Sequence, residues 1–449
     1  MQASQTDKRE PSMIELTEKY PDKHSSQRDA AESIDLVQRG NLKLLENTLH
    51  KQWRSGQNIV LCWSADERGV MVIWVPHYFL GNFSAQSRSD GVDNETFIGD
   101  LISGRRRKTR EELFALAAKL DVAPSFVKLN TALSDETAVL NVVEQIIKRY
   151  GLSYVQSRGV LLFDIAGFSL YTPFEQASQL NSLSYSMNSA YNKLHAQGVE
   201  VNFARTTTGD GYYVWNRDEN DSANQDLFMF MLLVIADNAV ARGASKGNTV
   251  PLLRSAYHVG GHYELYQAEG VNPTVFSYIV GDVTIDLARM VDLAQPSQIL
   301  VGDFSMGVRK LVDACVTEVS MEAPAFVRHC NDEIKMLDGI QLSGKKVKYL
   351  HCKLTGDNGS GEASARRFLV VDKHGLSRHT YNLQLDIKLE DESLELGIGE
   401  NRLPGVGEKQ ATLTRPSVGQ RRAGTTRRLV DEPASILRKR PPRSFLSED

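Results

Sequence analysis

The sequence predicts an α+β protein whose centre is a ferredoxin-like βαββαβ sheet with helices on one face. Between residues 151 and 356, apolar strand-like runs alternate with amphipathic segments of helical length, in the order strand, helix, strand, strand, helix, strand. Its second and third strands flank Gly209-Asp210-Gly211, a turn signal that makes them a hairpin. Beyond this core, Leu383, Leu385, Ile387 and Leu389 alternate with Gln384, Asp386 and Lys388, the period of a half-buried antiparallel strand.

Along the chain, residues 1–35 are charged and polar without apolar periodicity and read as a flexible start. Residues 36–150 read as a small α/β module. Ile59-Val-Leu-Cys-Trp63 and Val70-Met-Val-Ile-Trp-Val-Pro76 make its hairpin, and Glu111 begins a helix-like segment. The basic run Gly104-Arg-Arg-Arg-Lys108 is expected to be a solvated face. Val139, Val142, Val143, Ile146 and Ile147 lie at helical spacing, on a helix expected to pack on the next domain or to dimerise.

The core, residues 151–356, begins with the buried strand Val160-Leu-Leu-Phe-Asp-Ile165. It continues through a helix containing Gln179, the hairpin, a helix over 226–241, a strand near 252–259, a helix around 283–293 and a strand at 298–301. Residues 364–400 are expected to be a separate β-rich domain in which Asp372-Lys-His-Gly375 makes a turn. From residue 401 onward, eleven Lys and Arg against five Asp and Glu, with no apolar period, predict a basic disordered tail.

A formal net charge of −4 gives no reason to expect nucleic acid or a membrane surface as partner. The four cysteines are far apart and form no C-x-x-C pair, which argues against a zinc site or a disulfide framework and suits a reducing, cytoplasmic setting. The most apolar run, Leu227 to Ala236, is about half the length a membrane span needs.

Two carboxylates carry the chemistry. Asp164 ends an apolar strand and Asp210 sits at the glycine-flanked tip of the next hairpin; in this topology those two points can converge. Paired carboxylates repel unless cations lie between them, and hard Mg²⁺ or Mn²⁺ suits oxygen ligands with substrate phosphates completing the shell. The plainer reading has Asp164 capping the following helix and Asp210 making the turn. Spacing alone leaves both open.

Four motifs in order, Phe163-Asp164-Ile165-Ala166-Gly167-Phe168-Ser169, Thr208-Gly209-Asp210-Gly211-Tyr212, Arg254-Ser-Ala-Tyr-His258-Val-Gly260, and Gly281-Asp282 through Arg289-Met290, make residues 155–305 resemble class III adenylyl and guanylyl cyclases. The resemblance implies a lyase that converts a nucleoside triphosphate to a 3′,5′-cyclic nucleotide and pyrophosphate. It implies two Mn²⁺ or Mg²⁺ ions on Asp164 and Asp210, with the Ile165 carbonyl as a further ligand. Backbone amides of Gly167, Phe168 and Ser169 would hold the triphosphate at a helix start. Arg289 would stabilise the transition state from the partner subunit of a homodimer, with active sites at the interface.

Three positions depart from that family. The lysine that reads adenine, four residues before the second aspartate, is Thr206; the aspartate eleven residues before the arginine is Tyr278; the asparagine that orients the ribose is Ile285. Tyr278 could fill the room of a purine's second ring, and Arg205 could donate to a pyrimidine edge. This is similar to bacterial pyrimidine cyclases of the Pycsar antiphage systems, with UTP favoured over CTP and a separate effector reading cUMP or cCMP. Residues 364–400 likewise resemble the AGS-C sensor domain of such cyclases. The alternatives are a divergent adenylate or guanylate cyclase, or a catalytically silent nucleotide-binding regulator.

His258 is read as a core histidine, and Tyr185, Tyr191, Phe228 and Phe230 as core aromatics. Gly260-Gly261 is read as a bulge.

Overall fold

In the computed structural model, residues 34–54, 56–85, 93–199, 201–218, 220–268, 275–312, 315–357, 365–371, 375, 377–403 and 411–413 are described. Most of the expected flexible start, the Asp372-Lys-His segment of the expected turn, and the tail from residue 414 lie outside them.

Helix α1 (Leu36–Trp53), strands β1 (Asn58–Asp66) and β2 (Gly69–Pro76), helices α2 (Phe79–Ser84), α3 (Asn94–Ser103) and α4 (Arg110–Leu120), strand β3 (Ser125–Lys128) and helix α5 (Thr137–Lys148) make the N-terminal unit. Its sheet order is β1-β2-β3. The apolar stripe of α5, Val139, Val143, Ile146 and Ile147, packs with Leu45 and Leu49 of α1 and Val60 and Trp63 of β1. That helix closes its own unit instead of serving the next domain, because α1 and the hairpin supply an apolar face that would otherwise be wet.

The basic run is also not a solvated face throughout. Arg106 is 1% exposed. Its guanidinium donates to the carbonyls of Val60 (2.7 Å) and Leu152 and to Ser153 Oγ (3.0 Å), while its backbone N–H donates to Glu144. It joins the N-terminal hairpin to the first strand of the central sheet.

That strand is β4 (Ser153–Ile165), followed by α6 (Pro173–Ala196), β5 (Phe203–Thr207), β6 (Gly211–Asn216), α7 (Ala223–Ala244), β7 (Leu253–Ala268), β8 (Val275–Val280), α8 (Asp282–Leu293) and β9 (Ile299–Gly302). The order β7-β4-β6-β5 is the expected ferredoxin-like arrangement, with β9 parallel beside β7 and β8 paired to β7.

Helices cover both faces, not one. Leu161, Phe163 and Ile165 of β4 pack with α6 and α7, while Val160 and Leu162 pack with Val283, Leu287 and Met290 of α8. A continuous apolar run such as Val160–Phe163 is what a strand buried on both sides requires. Helix α7 is long and apolar enough to cross a membrane, with mean hydropathy 1.6, but most of that stretch is buried in the fold. Phe228 and Phe230 are core as expected, whereas Tyr185 is 66% exposed. The irregularity expected at Gly260-Gly261 falls on the facing strand, where β4 shifts register between Val155 and Arg158.

The chain then adds β10 (Ser305–Val312), β11 (Cys315–Glu322), α9 (Ala323–Ile334), β12 (Gln341–Leu342), β13 (Lys345–Leu354), β14 (Arg367–Val371), β15 (Ser377–Leu389), β16 (Ser393–Gly397) and β17 (Ala411–Leu413). The strands expected in residues 364–400 are present, but they do not stand apart. β15 lies between β9 and β13 in the same sheet, and its Leu383, Leu385, Ile387 and Leu389 join the core of α7. A boundary at residue 364 therefore separates no folding units: β9 needs a partner on its open side, and β15 supplies it. Nor does order end at residue 401, since β17 pairs in parallel with β14.

Candidate active site

Strand register sorts the sequence-predicted residues between two faces. Residues directly opposite one another in an antiparallel pair share a face. Asp164 is opposite Gly211 on β6 and Arg254 on β7. Thr206 is opposite Tyr213, itself opposite Leu162, so Thr206 shares the α8 side with Asp164. Arg205 is opposite Val214 and Leu161, on the α6/α7 side, where its guanidinium lies 5.5 Å from the Tyr212 ring centroid. Ile279 packs with α8, so its neighbour Tyr278 projects from the other side of β8. These four expected substrate-binding residues thus divide: Thr206 and Ile285 lie on the α8 side, Arg205 and Tyr278 on the opposite side. Alternation along a strand forbids neighbours Arg205 and Thr206 from facing one pocket.

Asp164 and Asp210 do come together. The backbone N–H of Ile165 donates to the Asp210 carbonyl at 2.9 Å, and Thr208 N–H to the Gly211 carbonyl at 3.0 Å. Glycine is needed here: a Cβ on Gly211 would stand 1.9 Å from the Phe163 carbonyl oxygen, and Gly209 turns at φ +98°. The Thr208 hydroxyl donates to Asp210 Oδ1 at 3.3 Å.

Asp164 is 8% exposed. Arg254 Nε donates to its Oδ2 at 2.7 Å, and a terminal nitrogen of the same guanidinium forms an ion pair with that oxygen at 2.5 Å. Burial pushes the Asp164 carboxyl up to about 6; Arg254 opposes that rise, and Asp210 and Asp292 add to it. A carboxylate raised by burial and by a like charge gains from a cation beside it. Among the described residues no group of three or more His, Cys, Asp or Glu could hold a metal ion. The donor set here, two carboxylates and nearby backbone oxygens, fits a hard cation that keeps waters or takes phosphate oxygens.

The helix-capping alternative for Asp164 fails, because α6 begins at Pro173 with Thr172 and Glu175 in a reciprocal capping box. For the same reason Gly167, Phe168 and Ser169 do not open that helix. Gly167, at φ +72°, leads instead into a single 3₁₀ turn, Phe168–Leu170. Arg289 and Ile285 lie on α8, tied to the hairpin by the Tyr213 hydroxyl donating to the Thr284 carbonyl at 2.9 Å.

Sequence reasoning gave no role to Arg254, although its place in a quoted motif and its register opposite Asp164 were available signals. Asp292 was missed as well. His258 is no satisfied core histidine: its Nε2 lies 3.5 Å from Asp286 Oδ2, while among the described residues its Nδ1 has no hydrogen-bond partner.

No protein-family model matches the chain, and no curated protein does. Solved structures similar to parts of it include the guanylate cyclase domain of RhGC from Catenaria anguillulae in complex with GTP, at 14% identity and TM-score 0.28, covering 53% of this chain and 98% of that one. Another is the adenylyl cyclase CyaB from P. aeruginosa, at 12% identity and TM-score 0.27, covering 52% and 95%. A non-canonical dimeric guanylyl cyclase domain of the RhoGC fusion protein from Blastocladiella emersonii has 14% identity and TM-score 0.27, covering 38% and 98%.

Proposed function

We propose that the chain is a nucleotidyl cyclase of class III type, acting as a homodimer on a nucleoside triphosphate. The observation that carries this reading is the juxtaposition of Asp164 and Asp210 through the Ile165–Asp210 backbone bond, with Asp164 buried and raised. Two mutually repelling carboxylates in one wall are costly to a fold unless a cation and phosphate join them. Retention of Arg289 in the motif that carries the resemblance argues against a silent nucleotide-binding regulator.

The ribose 3′ oxygen attacks the α-phosphorus, the bond to pyrophosphate breaks, and the hydroxyl proton leaves to solvent. Asp164 and Asp210 would hold two Mn²⁺ or Mg²⁺ ions, which supply charge neutralisation and a more acidic hydroxyl. Arg254 fixes Asp164 in place. Arg289 opposes charge on the phosphorus. Because the attack is intramolecular, positioning and charge are most of what the protein must supply.

The base proposal is a pyrimidine, UTP before CTP, and it rests on Thr206 standing where adenine-reading cyclases of the family carry Lys. Arg205 is withdrawn from that pocket by its face. The cyclic product would serve as a cytoplasmic signal read by a separate effector in antiphage defence. Purified protein with Mn²⁺ and each of the four NTPs, products resolved by mass spectrometry, tests the activity and the base. Cyclic UMP or CMP is expected; cyclic AMP alone would refute the base assignment, and no cyclic product would refute the activity.

A further inference from the structure

Helix α8 is held by apolar packing and, at one place, by charge. Toward the sheet, Val283, Leu287, Met290 and Val291 share a core with Val160, Leu162 and Ala256. Toward the C-terminal strands it borders a cavity of about 240 Å³, whose walls include Asp286, Met290, His258 and Arg378. Phe368 and Val370 of β14 join that same apolar core, and beside them the cavity wall carries charge. Arg378 at the start of β15 donates to Asp286 Oδ2 at 2.6 Å, and His258 Nε2 stands 3.5 Å from the same oxygen. Asp286 is 6% exposed, so its charge is out of water and depends on these partners. It precedes Arg289 by three residues, within one helical turn.

We propose that Arg378 is a positioning residue: by holding Asp286 it sets the position of α8, and so of Arg289, which makes the C-terminal strands part of the working site. This rests on the cyclase reading for its effect on turnover. Arg378 lies 92 residues from Asp286 and beyond the segment that carries the motifs. It touches no reacting atom in this reading; it acts through the helix.

The test uses the full chain. With Mn²⁺ and the preferred NTP, Arg378→Met is expected to lower kcat roughly ten- to hundredfold, the scale of a small misplacement. KM should stay within about twofold, because Arg289 acts on charge in the transition state and Ile285, on the same helix, has no side-chain hydrogen bond to give the substrate. Arg378→Lys should recover most of the loss, since its ammonium can reach the same carboxylate. Hydrogen exchange gives a readout that needs no turnover. Amides of residues 282–293 should exchange faster in Arg378→Met, while those of α6 stay as in the parent protein.

Unchanged exchange in α8, an intact kcat, or equal losses in the Met and Lys variants would overturn the proposal. Should Arg378→Met fail to fold, Asp286→Leu combined with Arg378→Met removes both charges, and the same split between kcat and KM is expected. If the parent protein makes no cyclic product, the cyclase reading fails while hydrogen exchange still decides the role of Arg378.

Discussion

Arg106 and Arg254 are both enclosed guanidinium groups, one in the N-terminal unit and one at the end of the central sheet. Arg106 distributes its donors over three backbone carbonyls, Val60 and Leu61 of β1 and Leu152, and over the Ser153 hydroxyl of β4. Arg254 sets its guanidinium against one oxygen of Asp164, a carboxylate that Asp210 and Asp292 also repel. The first arrangement is matched and complete. In the second, a negative charge remains that one guanidinium does not neutralise. Burial alone therefore does not mark a functional charge; the balance among its partners does.

The largest expected effect separates the two regions by activity. Asp164→Ala should lower turnover by at least roughly 10³-fold, about 4 kcal/mol of transition-state stabilisation, without lowering Tm. Retained activity would end the distinction. Arg106→Met should do the reverse, costing about 3–5 kcal/mol in chemical denaturation because several buried acceptors lose their donor. Turnover per folded molecule should be unchanged; a fall would place Arg106 in the working site.

His262 supplies a pH test of the intervening sheet. Burial holds its imidazole down to about 4 in the folded chain. The unfolded chain then binds the extra proton between about pH 6.5 and 4, so stability should be full above that window and fall through it, by about 3 kcal/mol at most. In His262→Asn the corresponding slope should vanish from denaturation midpoints. Asp164 works in the opposite sense over part of that range, so the comparison is between variants, not within one curve. The smallest effect is assigned to Arg205→Ala: about 0.5 kcal/mol from its contact with Tyr212, and no change in choice among NTPs. A shift in that choice would return Arg205 to the pocket.

Periodicity made the strands and helices of residues 151–301 legible, and the glycine-flanked Asp210 announced the hairpin that brings two carboxylates together. The facing of Arg205 was recoverable too, since a hairpin register fixes which neighbours share a side. Other features had no local signal. Arg106 looks like its neighbours Arg105 and Arg107 until the carbonyls around it are placed. The insertion of β15 beside β9 joins segments about 80 residues apart, and alternating Leu and Ile describe the strand without naming its neighbour.

The position of β15 also sets an order of events on the ribosome. Asp164, Arg254 and Arg289 all emerge before the strand that flanks β9, so the nascent sheet waits with an unpaired edge until residues near 389 are made. A shortened chain ending near residue 356 would be trapped in that interval. It would carry every motif of the resemblance, yet its open edge would recruit other chains, and its expected fate is aggregation instead of a minimal enzyme.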